Sequence, residues 1–318
     1  DIGRPLVKGV SLDLHPGRIQ GLAGESGSGK TLTSLAVLGL LPRQARTGGS
    51  IRLGDTEILG KGRRELNRIR GRRIAMVFQD PSSALHPQLT VGHQLTDHVR
   101  THLGMNRSDA RERAVETLER VSVPGAAEAL GRYPHQFSGG QRQRISIAIA
   151  LACDPDVLLA DEPTTALDVT VQAGILQLVR ELATERELAV LLVTHDLGVM
   201  SAVADDVAVM RDGRIVEAAD RATLFASPQH GYTRGLLAAL PGSRLEQSPA
   251  EESRTKESRT EGSRTEGSRT EEPRTEESRT EGSRTKESRT KESRTEGSRT
   301  GGSRTEEPRT EPRSQREG

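Results

Sequence analysis

The sequence of 318 residues predicts an α/β fold with a mostly parallel sheet core, an antiparallel β subdomain and a helical subdomain, followed by a disordered tail. Three observations predict it. Over residues 1–244, short apolar runs alternate with helical patterns, which is typical of a parallel sheet covered on both faces. A block of helical periodicity, within about residues 88–155, interrupts that alternation. From residue 245 to residue 318 a low-complexity pentapeptide repeat follows.

The first elements lead from a strand through a glycine-rich loop to a helix. Residues 6–14 predict an extended strand with four apolar side chains on one side, namely Leu6, Val10, Leu12 and Leu14. A second strand, near 18–23, runs into the loop. The segment 31–41 then predicts a buried helix that Pro42 stops, because proline cannot continue a helix.

The rest of the chain alternates between strands and helices. Residues 49–59 hold two short alternating runs about Gly54 and Asp55, which is a hairpin signal, and residues 73–78 predict another strand. Three β-rich runs follow the helical insert, at 156–163, 188–196 and 206–217. A helix is predicted between the first two runs, at 169–183.

Composition excludes several functional classes. In the tail the triplet Ser-Arg-Thr or Pro-Arg-Thr returns every five residues from Ser253 to Thr310, with no apolar side chain to offset the entropy of ordering. Residues 251–318 carry 17 Lys+Arg and 17 Asp+Glu, whereas a nucleic-acid-binding arm would show excess base. We therefore expect a solvated spacer and no nucleic-acid partner.

The single cysteine, Cys153, excludes an internal disulfide and a four-cysteine metal site within one chain. The longest apolar runs, 147–152 and 188–193, are shorter than a membrane helix requires. Because the chain begins at Asp1 without a charged and apolar leader, we expect no export signal and a missing N-terminal piece.

The stretch "GESGSGKT" matches the phosphate-loop pattern in full, between a predicted strand and a predicted helix. Backbone N–H groups of its glycines can converge on phosphates, Lys30 adds a positive charge, and the Thr31 hydroxyl suits Mg²⁺. The predicted nucleotide-binding residues are Gly24, Glu25, Ser26, Gly27, Ser28, Gly29, Lys30 and Thr31.

Two adjacent carboxylates end the apolar strand "DVLLADEP". Neighbouring residues of an extended strand point to opposite sides, so the two carboxylates are expected to have different roles. Asp161 would hold Mg²⁺, and Glu162 would reach a water in line with the γ-phosphate. A merely polar strand end is the alternative, and the nearby phosphate loop disfavours it.

A second glycine motif, "FSGGQRQR" at 137–144, places bare amides at a helix start, which suits an anion. With it the chain resembles the ATP-binding subunit of an ABC transporter, a P-loop NTPase cassette, over about residues 4–240. The motif resembles the family signature, with Phe137 where leucine is commoner. Gln79 in "VFQDP", Asp168 in "TTALD" and His195 in "LLVTHD" stand at the family's Q-loop, D-loop and switch positions.

The resemblance implies that two ATP-binding domains pair head to tail, so that the signature of one closes on the nucleotide of the other. The signature residues would be Ser138, Gly139, Gly140 and Gln141. It further implies that Gln79 acts with Thr31 and Asp161 around Mg²⁺ and relays to the membrane partner. Asp168 would lie at the dimer interface, and His195 would contact the γ-phosphate.

The chain is most similar to the ATPases of peptide and nickel importers, although Gly231 stands where that group usually has proline. This similarity implies ATP and Mg²⁺ as cofactors, a second ATP-binding domain as homodimer or paralogous heterodimer, two integral membrane permeases, and indirectly an extracytoplasmic solute-binding protein. The expected location is the cytoplasmic face of the membrane, as a peripheral protein. Di- or oligopeptide import is the first hypothesis; import of nickel or another small solute, and a soluble ABC ATPase without a membrane partner, are the alternatives.

Three further features of the sequence carry less weight. Residues 1–23 hold no Phe, Tyr or Trp, so the residue that stacks on adenine is not identified. His98 and His102 have zinc-like spacing, but a structural role is favoured. The basic run 62–73 is expected to be a solvated edge rather than a nucleic-acid patch.

Overall fold

The computed structural model describes residues 5–165 and 167–240. Its centre is a six-stranded sheet in the order β4-β5-β6-β1-β7-β8, parallel except for the antiparallel edge strand β8. A separate two-stranded hairpin, β2-β3, is antiparallel. The strands are β1 (Ile19–Ala23), β2 (Arg52–Leu53), β3 (Thr56–Glu57), β4 (Ile74–Val77), β5 (Val157–Asp161), β6 (Ala189–Thr194), β7 (Asp206–Arg211) and β8 (Arg214–Asp220).

Helices cover the sheet and form a block between β4 and β5, as the helical periodicity predicts. Side-chain caps begin several of them: Thr90 accepts from the His93 N–H, and Asn106 accepts from the Asp109 N–H. The helices are α1 (Lys30–Val37), α2 (Arg63–Ile69), α3 (Pro81–Ala84), α4 (Val91–Leu103), α5 (Arg107–Arg120), α6 (Ala126–Ala129), a 3₁₀ helix (Pro134–Gln136), α7 (Gly139–Leu151), α8 (Val169–Glu185), α9 (Leu197–Val203), α10 (Arg221–Ala226) and α11 (Gly231–Ala238).

The core lies on both faces of the sheet. Strands β5 and β6 are buried along their whole length, and successive side chains enter different apolar clusters. Leu158 and Val190 belong to the cluster that holds the helical block, whereas Leu159 and Leu191 belong to the cluster around β2 and α1. Burial on both faces explains why these strands are continuously apolar in sequence. The predicted α/β cassette architecture is confirmed.

The prediction of a strand at 6–14 is wrong: the described chain there bends at residues 6, 7 and 9, has φ +60° at Gly9, and forms no named strand. Val10, Leu12 and Leu14 do pack against the core, whereas Leu6 is 67% exposed. The Lys8 N–H donates to the Gly213 carbonyl at 2.7 Å. A single backbone hydrogen bond does not make a β-ladder. The alternation of apolar residues determines which face of the segment is buried, but it does not provide a partner strand.

Helix α1 ends earlier than predicted, and glycine rather than Pro42 ends it. Gly39 has φ +59°, its N–H donates to Ala36, and the Leu40 N–H donates to Leu35. This pair of bonds is a Schellman motif, which requires a left-handed residue after the helix. The hairpin at Gly54 and the other predicted strands are confirmed.

The predicted tail, 245–318, and the boundary at residue 244 lie outside the described residues. Within the part of the chain that the structure describes, no helix has the length and apolar content that a membrane crossing needs.

Candidate functional site

Most of the predicted nucleotide-binding and catalytic residues lie at the carboxyl ends of adjacent parallel strands, whereas the signature residues and Asp168 lie at the starts of α7 and α8. The phosphate loop begins after β1, Asp161 and Glu162 follow one another at the end of β5, and His195 follows β6. In open α/β sheets, ligands bind where the carboxyl ends of the strands meet. The sheet order β5-β6-β1 therefore brings distant sequence motifs to one edge.

The phosphate loop packs closely on the turn between β7 and β8. A Cβ added at Gly24 would lie 2.1 Å from the Met210 carbonyl oxygen, so only glycine fits there. The Gly213 N–H donates to the Ser28 carbonyl at 2.9 Å, which ties the loop to the same turn. Within the part of the chain that the structure describes, the buried Ser28 hydroxyl has no hydrogen-bond partner.

Lys30 is 5% exposed, and its ammonium closes the loop on itself. The Nζ atom donates to the carbonyls of Gly24 at 2.7 Å and Glu25 at 2.9 Å. Burial lowers the pKa of Lys30, although the charges of Glu162 and Asp161 oppose this shift. The lysine is thus a desolvated cation beside two carboxylates, ready to exchange carbonyl contacts for phosphate oxygens.

Asp161 and Thr31 form a pair of oxygen donors. The Thr31 hydroxyl donates to Asp161 Oδ1 at 3.2 Å, and the aspartate is 3% exposed. Burial raises the pKa of Asp161, the hydrogen bond from Thr31 opposes the rise, and the charge of Glu162 adds to it. A buried carboxylate next to a hydroxyl is a donor set that suits Mg²⁺, so these residues fit the implied ion.

Glu162 stands at the centre of the predicted catalytic residues. Its Oε2 accepts from Gln79 Nε2 at 2.8 Å and from the Thr165 hydroxyl at 3.0 Å, and its Oε1 lies 2.9 Å from His195 Nδ1. Its backbone has φ +47°, an uncommon conformation for glutamate that is typical of functional sites. No role was predicted for Thr165, which lies two residues after Pro163 at the second position of "TTALD".

Burial alone would raise the pKa of Glu162, but hydrogen bonds with His195 and Thr165, and the charge of Lys30, lower it. The side chain is therefore a carboxylate at neutral pH, held by three neighbours and 12% exposed. A carboxylate in this state can accept a proton from water.

The signature segment begins helix α7 with a capping box. Ser138 Oγ accepts from the Gln141 N–H at 3.3 Å, and the Ser138 N–H donates to Gln141 Oε1 at 3.0 Å. Both polar side chains are thus used within the motif. Among the described residues, the N–H groups of Gly139 and Gly140 in the first turn have no hydrogen-bond partner, and they lie at the positive end of the helix.

Close packing against helix α8 explains why residue 140 is a glycine, and the sequence did not predict this contact. A Cβ added there would lie 2.5 Å from Val171 Cγ1 on helix α8, whereas at Gly139 the nearest atom would be Leu167 Cδ2 at 3.6 Å. Asp168 caps α8 by accepting from the Val171 N–H at 3.0 Å. The described contacts of the signature glycines therefore run to the D-loop helix of the same chain.

The remaining polar features have structural roles. The rings of His98 and His102 lie 4.6 Å apart and pack against Gly71, and burial lowers the pKa of both. In the basic run, Arg70 donates to the Leu38 and Gly39 carbonyls.

Comparisons with known proteins identify the family of the chain. The family model described as ABC transporter matches residues 7–165. The dipeptide transport ATP-binding protein DppD of Bacillus subtilis (strain 168) is 48% identical over 237 residues, which is 74% of this chain and 71% of that protein. The oligopeptide transport ATP-binding protein OppD of Salmonella typhimurium is 46% identical over 235 residues, 74% of this chain and 70% of that protein.

Among solved structures, the post-hydrolysis dimer of the ATP-binding cassette MJ0796 with ADP and Pi has a TM-score of 0.61 and 30% identity, and covers 68% of this chain and 90% of that one. The order of the motifs, the cassette fold and these similarities lead to one conclusion: the chain belongs to the ABC transporter family, as one of its ATP-binding components.

Proposed function

We propose that this protein binds ATP at its phosphate loop, hydrolyses it, and thereby powers an importer of dipeptides or oligopeptides. The observation that carries the hydrolytic part is the cluster of Gln79, Thr165 and His195 around the Glu162 carboxylate. The relatives named for dipeptide and oligopeptide transport favour peptides over nickel as the substrate class.

Nucleotide binding follows from the loop. Amides of Gly24–Thr31 surround the phosphates, and Lys30 moves from its carbonyl contacts to phosphate oxygens. Thr31 and Asp161 would hold Mg²⁺, with Gln79 nearby. When bound, the ion supplies charge neutralisation at the phosphates.

Hydrolysis needs a base and a group that senses the γ-phosphate. Glu162 takes a proton from the attacking water: its carboxylate is ionised at neutral pH, although the lowered pKa makes it a weaker base than a free glutamate. His195 orients that carboxylate through Nδ1 and can direct its other ring nitrogen to the γ-phosphate. Gln79 donates to Glu162 Oε2 at 2.8 Å and would hold the ion together with Thr31 and Asp161.

Completion of the site requires a second copy or a paralogous chain. The free amides of Gly139 and Gly140 would meet the nucleotide held by the partner, and Asp168 would lie at that interface. The pair would act beneath two membrane permeases on the cytoplasmic face, with a solute-binding protein delivering the peptide from outside. Closure of the dimer on ATP and its opening after hydrolysis would move the permeases.

The test compares two variants with a matched control. Glu162→Gln should keep ATP affinity, lose phosphate release by at least about 100-fold and accumulate dimer on size exclusion with ATP. Lys30→Ala should lose ATP binding, and Glu112→Gln, an exposed carboxylate on α5, should behave as wild type. Normal turnover by Glu162→Gln would contradict the assignment of the base.

The soluble-ATPase alternative has a separate test. Purification of the tagged chain from detergent-solubilised membranes should bring down two polytopic proteins and, after reconstitution, peptide-dependent ATPase activity. Quantitative recovery of the chain without polytopic partners would favour the soluble alternative.

A further inference from the structure

A tyrosine far along the chain contacts the phosphate loop. The Glu25 N–H, in the second residue of the loop, donates to the Tyr232 hydroxyl at 3.2 Å across 207 positions of sequence. Tyr232 lies on α11, well beyond residues 7–165, where the family model matches. No motif in the sequence pointed to it.

Neighbouring groups fix where that hydroxyl lies. The guanidinium of Arg211, the last residue of β7, sits 4.7 Å from the centre of the Tyr232 ring. At the start of α11, Glu217 on β8 accepts from the N–H groups of Gln229 at 2.7 Å and His230 at 3.1 Å. The Tyr232 N–H donates to His230 Nδ1 at 3.1 Å. The ring and the helix that carries it are thus anchored to the sheet.

The hydrogen bond between the Glu25 N–H and the Tyr232 hydroxyl joins the loop to another element, whereas the other backbone bonds of Glu25 lie within the loop. The Glu25 carbonyl accepts from Lys30 Nζ at 2.9 Å and from the Ser28 N–H at 3.2 Å. Lys30 would give up its contact on turning to phosphate, whereas Tyr232 lies on α11, outside the loop. Burial raises the pKa of Tyr232, and its hydroxyl also interacts with the Glu25 side chain. The bond from the Glu25 N–H does not involve Lys30, so it does not depend on the internal lysine contact.

We propose that Tyr232 is a positioning residue that holds the phosphate loop from helix α11 in its binding conformation. This inference rests on the proposed function, because it assumes that the loop binds ATP. Loss of the hydroxyl removes the partner of the Glu25 N–H, so that fewer bonds hold this part of the loop once Lys30 leaves the Gly24 and Glu25 carbonyls. Ordering the loop again is then part of the cost of binding nucleotide.

The test is Tyr232→Phe, which keeps the ring on Arg211 and removes only the hydroxyl. The dissociation constant for ATP, from calorimetric titration, should rise about three- to tenfold, the effect of one hydrogen bond. KM should rise by the same factor while kcat stays within about twofold, because binding and transition state lose the same contact. The other tyrosine of the chain supplies the control: Tyr133→Phe, 40% exposed, should match wild type.

A local measurement accompanies the titration. Amide hydrogen exchange of Glu25 should be faster in Tyr232→Phe than in wild type, with the apo unfolding midpoint unchanged within about 2 °C. If wild type binds ATP and Lys30→Ala does not, but Tyr232→Phe binds like wild type, the role of Tyr232 is refuted and the proposed function stands. If wild type itself does not bind ATP, both the proposed function and the role of Tyr232 are refuted.

Discussion

The Gly140→Ala substitution tests whether the second signature glycine is required by packing. The added Cβ would lie 2.5 Å from Val171 Cγ1, at least 1 Å inside an ordinary carbon–carbon contact of about 3.5–4.0 Å. Val171 cannot easily turn aside, because a β-branched side chain in a helix strongly prefers one rotamer. Overpacking of this kind costs about 1–3 kcal/mol. The higher helix propensity of alanine than of glycine offsets at most about 1 kcal/mol of this cost.

We therefore expect Gly140→Ala to lower the free energy of unfolding by about 1–2 kcal/mol, measured by urea titration at pH 7. The double variant Gly140→Ala with Val171→Ala should recover most of that loss, giving a favourable coupling energy of about 1–2 kcal/mol. Gly139→Ala is the matched control, because its Cβ would meet only Leu167 at 3.6 Å, an ordinary contact. It should be neutral within about 0.5 kcal/mol.

Measurement of ATPase activity distinguishes two reasons for the glycine: packing against α8, and close approach of the backbone to the partner's nucleotide. The new Cβ of Gly140→Ala points at α8 and leaves the backbone N–H in place, so the double variant should regain activity to within about threefold of wild type. Unchanged stability in Gly140→Ala, or no rescue by Val171→Ala, would refute the packing argument. A double variant that is stable but inactive would mean that the glycine is needed at the partner's nucleotide.

Three other substitutions have expected outcomes. Gly231→Pro should stabilise by about 0.4–1 kcal/mol in thermal unfolding, because the site is the first position of α11 and His230 already has φ −87° and ψ 135°, which proline demands of its predecessor. Asp161→Asn should raise the stability of the nucleotide-free protein by about 0.5–2 kcal/mol at pH 7 and abolish Mg²⁺-dependent hydrolysis. Burial raises the pKa of Asp161, so that gain should shrink as pH falls through the raised value. Asp205→Asn breaks a two-bond pair with Arg180, each bond 2.9 Å, and should cost about 1–3 kcal/mol at pH 7 in urea unfolding. Burial opposes the shift, but Arg180 lowers the pKa of Asp205 below 3.8, so this difference is present above about pH 4 and is lost as pH falls through the lowered value.

The positions of the site residues could be predicted where neighbouring residues of one sequence motif form that part of the site. Lys30, Thr31 and the adjacent glycines act through spacing along one loop, and Asp161 and Glu162 through adjacency on one strand, so the sequence pattern contains their geometry. Thr165, Val171 and Tyr232 were not found, because their roles depend on contacts with other elements that spacing does not encode.

The same distinction applies to the fold. The sequence alone determined the α/β class, the strand–loop–helix at the phosphate loop and the helical block, because periodicity and turn chemistry are local properties of the chain. Only the tertiary structure decided that residues 6–14 stay outside the sheet, that Glu162 is shared by Gln79 and His195, and that α11 contacts the phosphate loop. The physical reason is that side-chain packing and hydrogen bonding between distant segments depend on sheet order, which brings β5, β6 and β1 together and which no local pattern specifies.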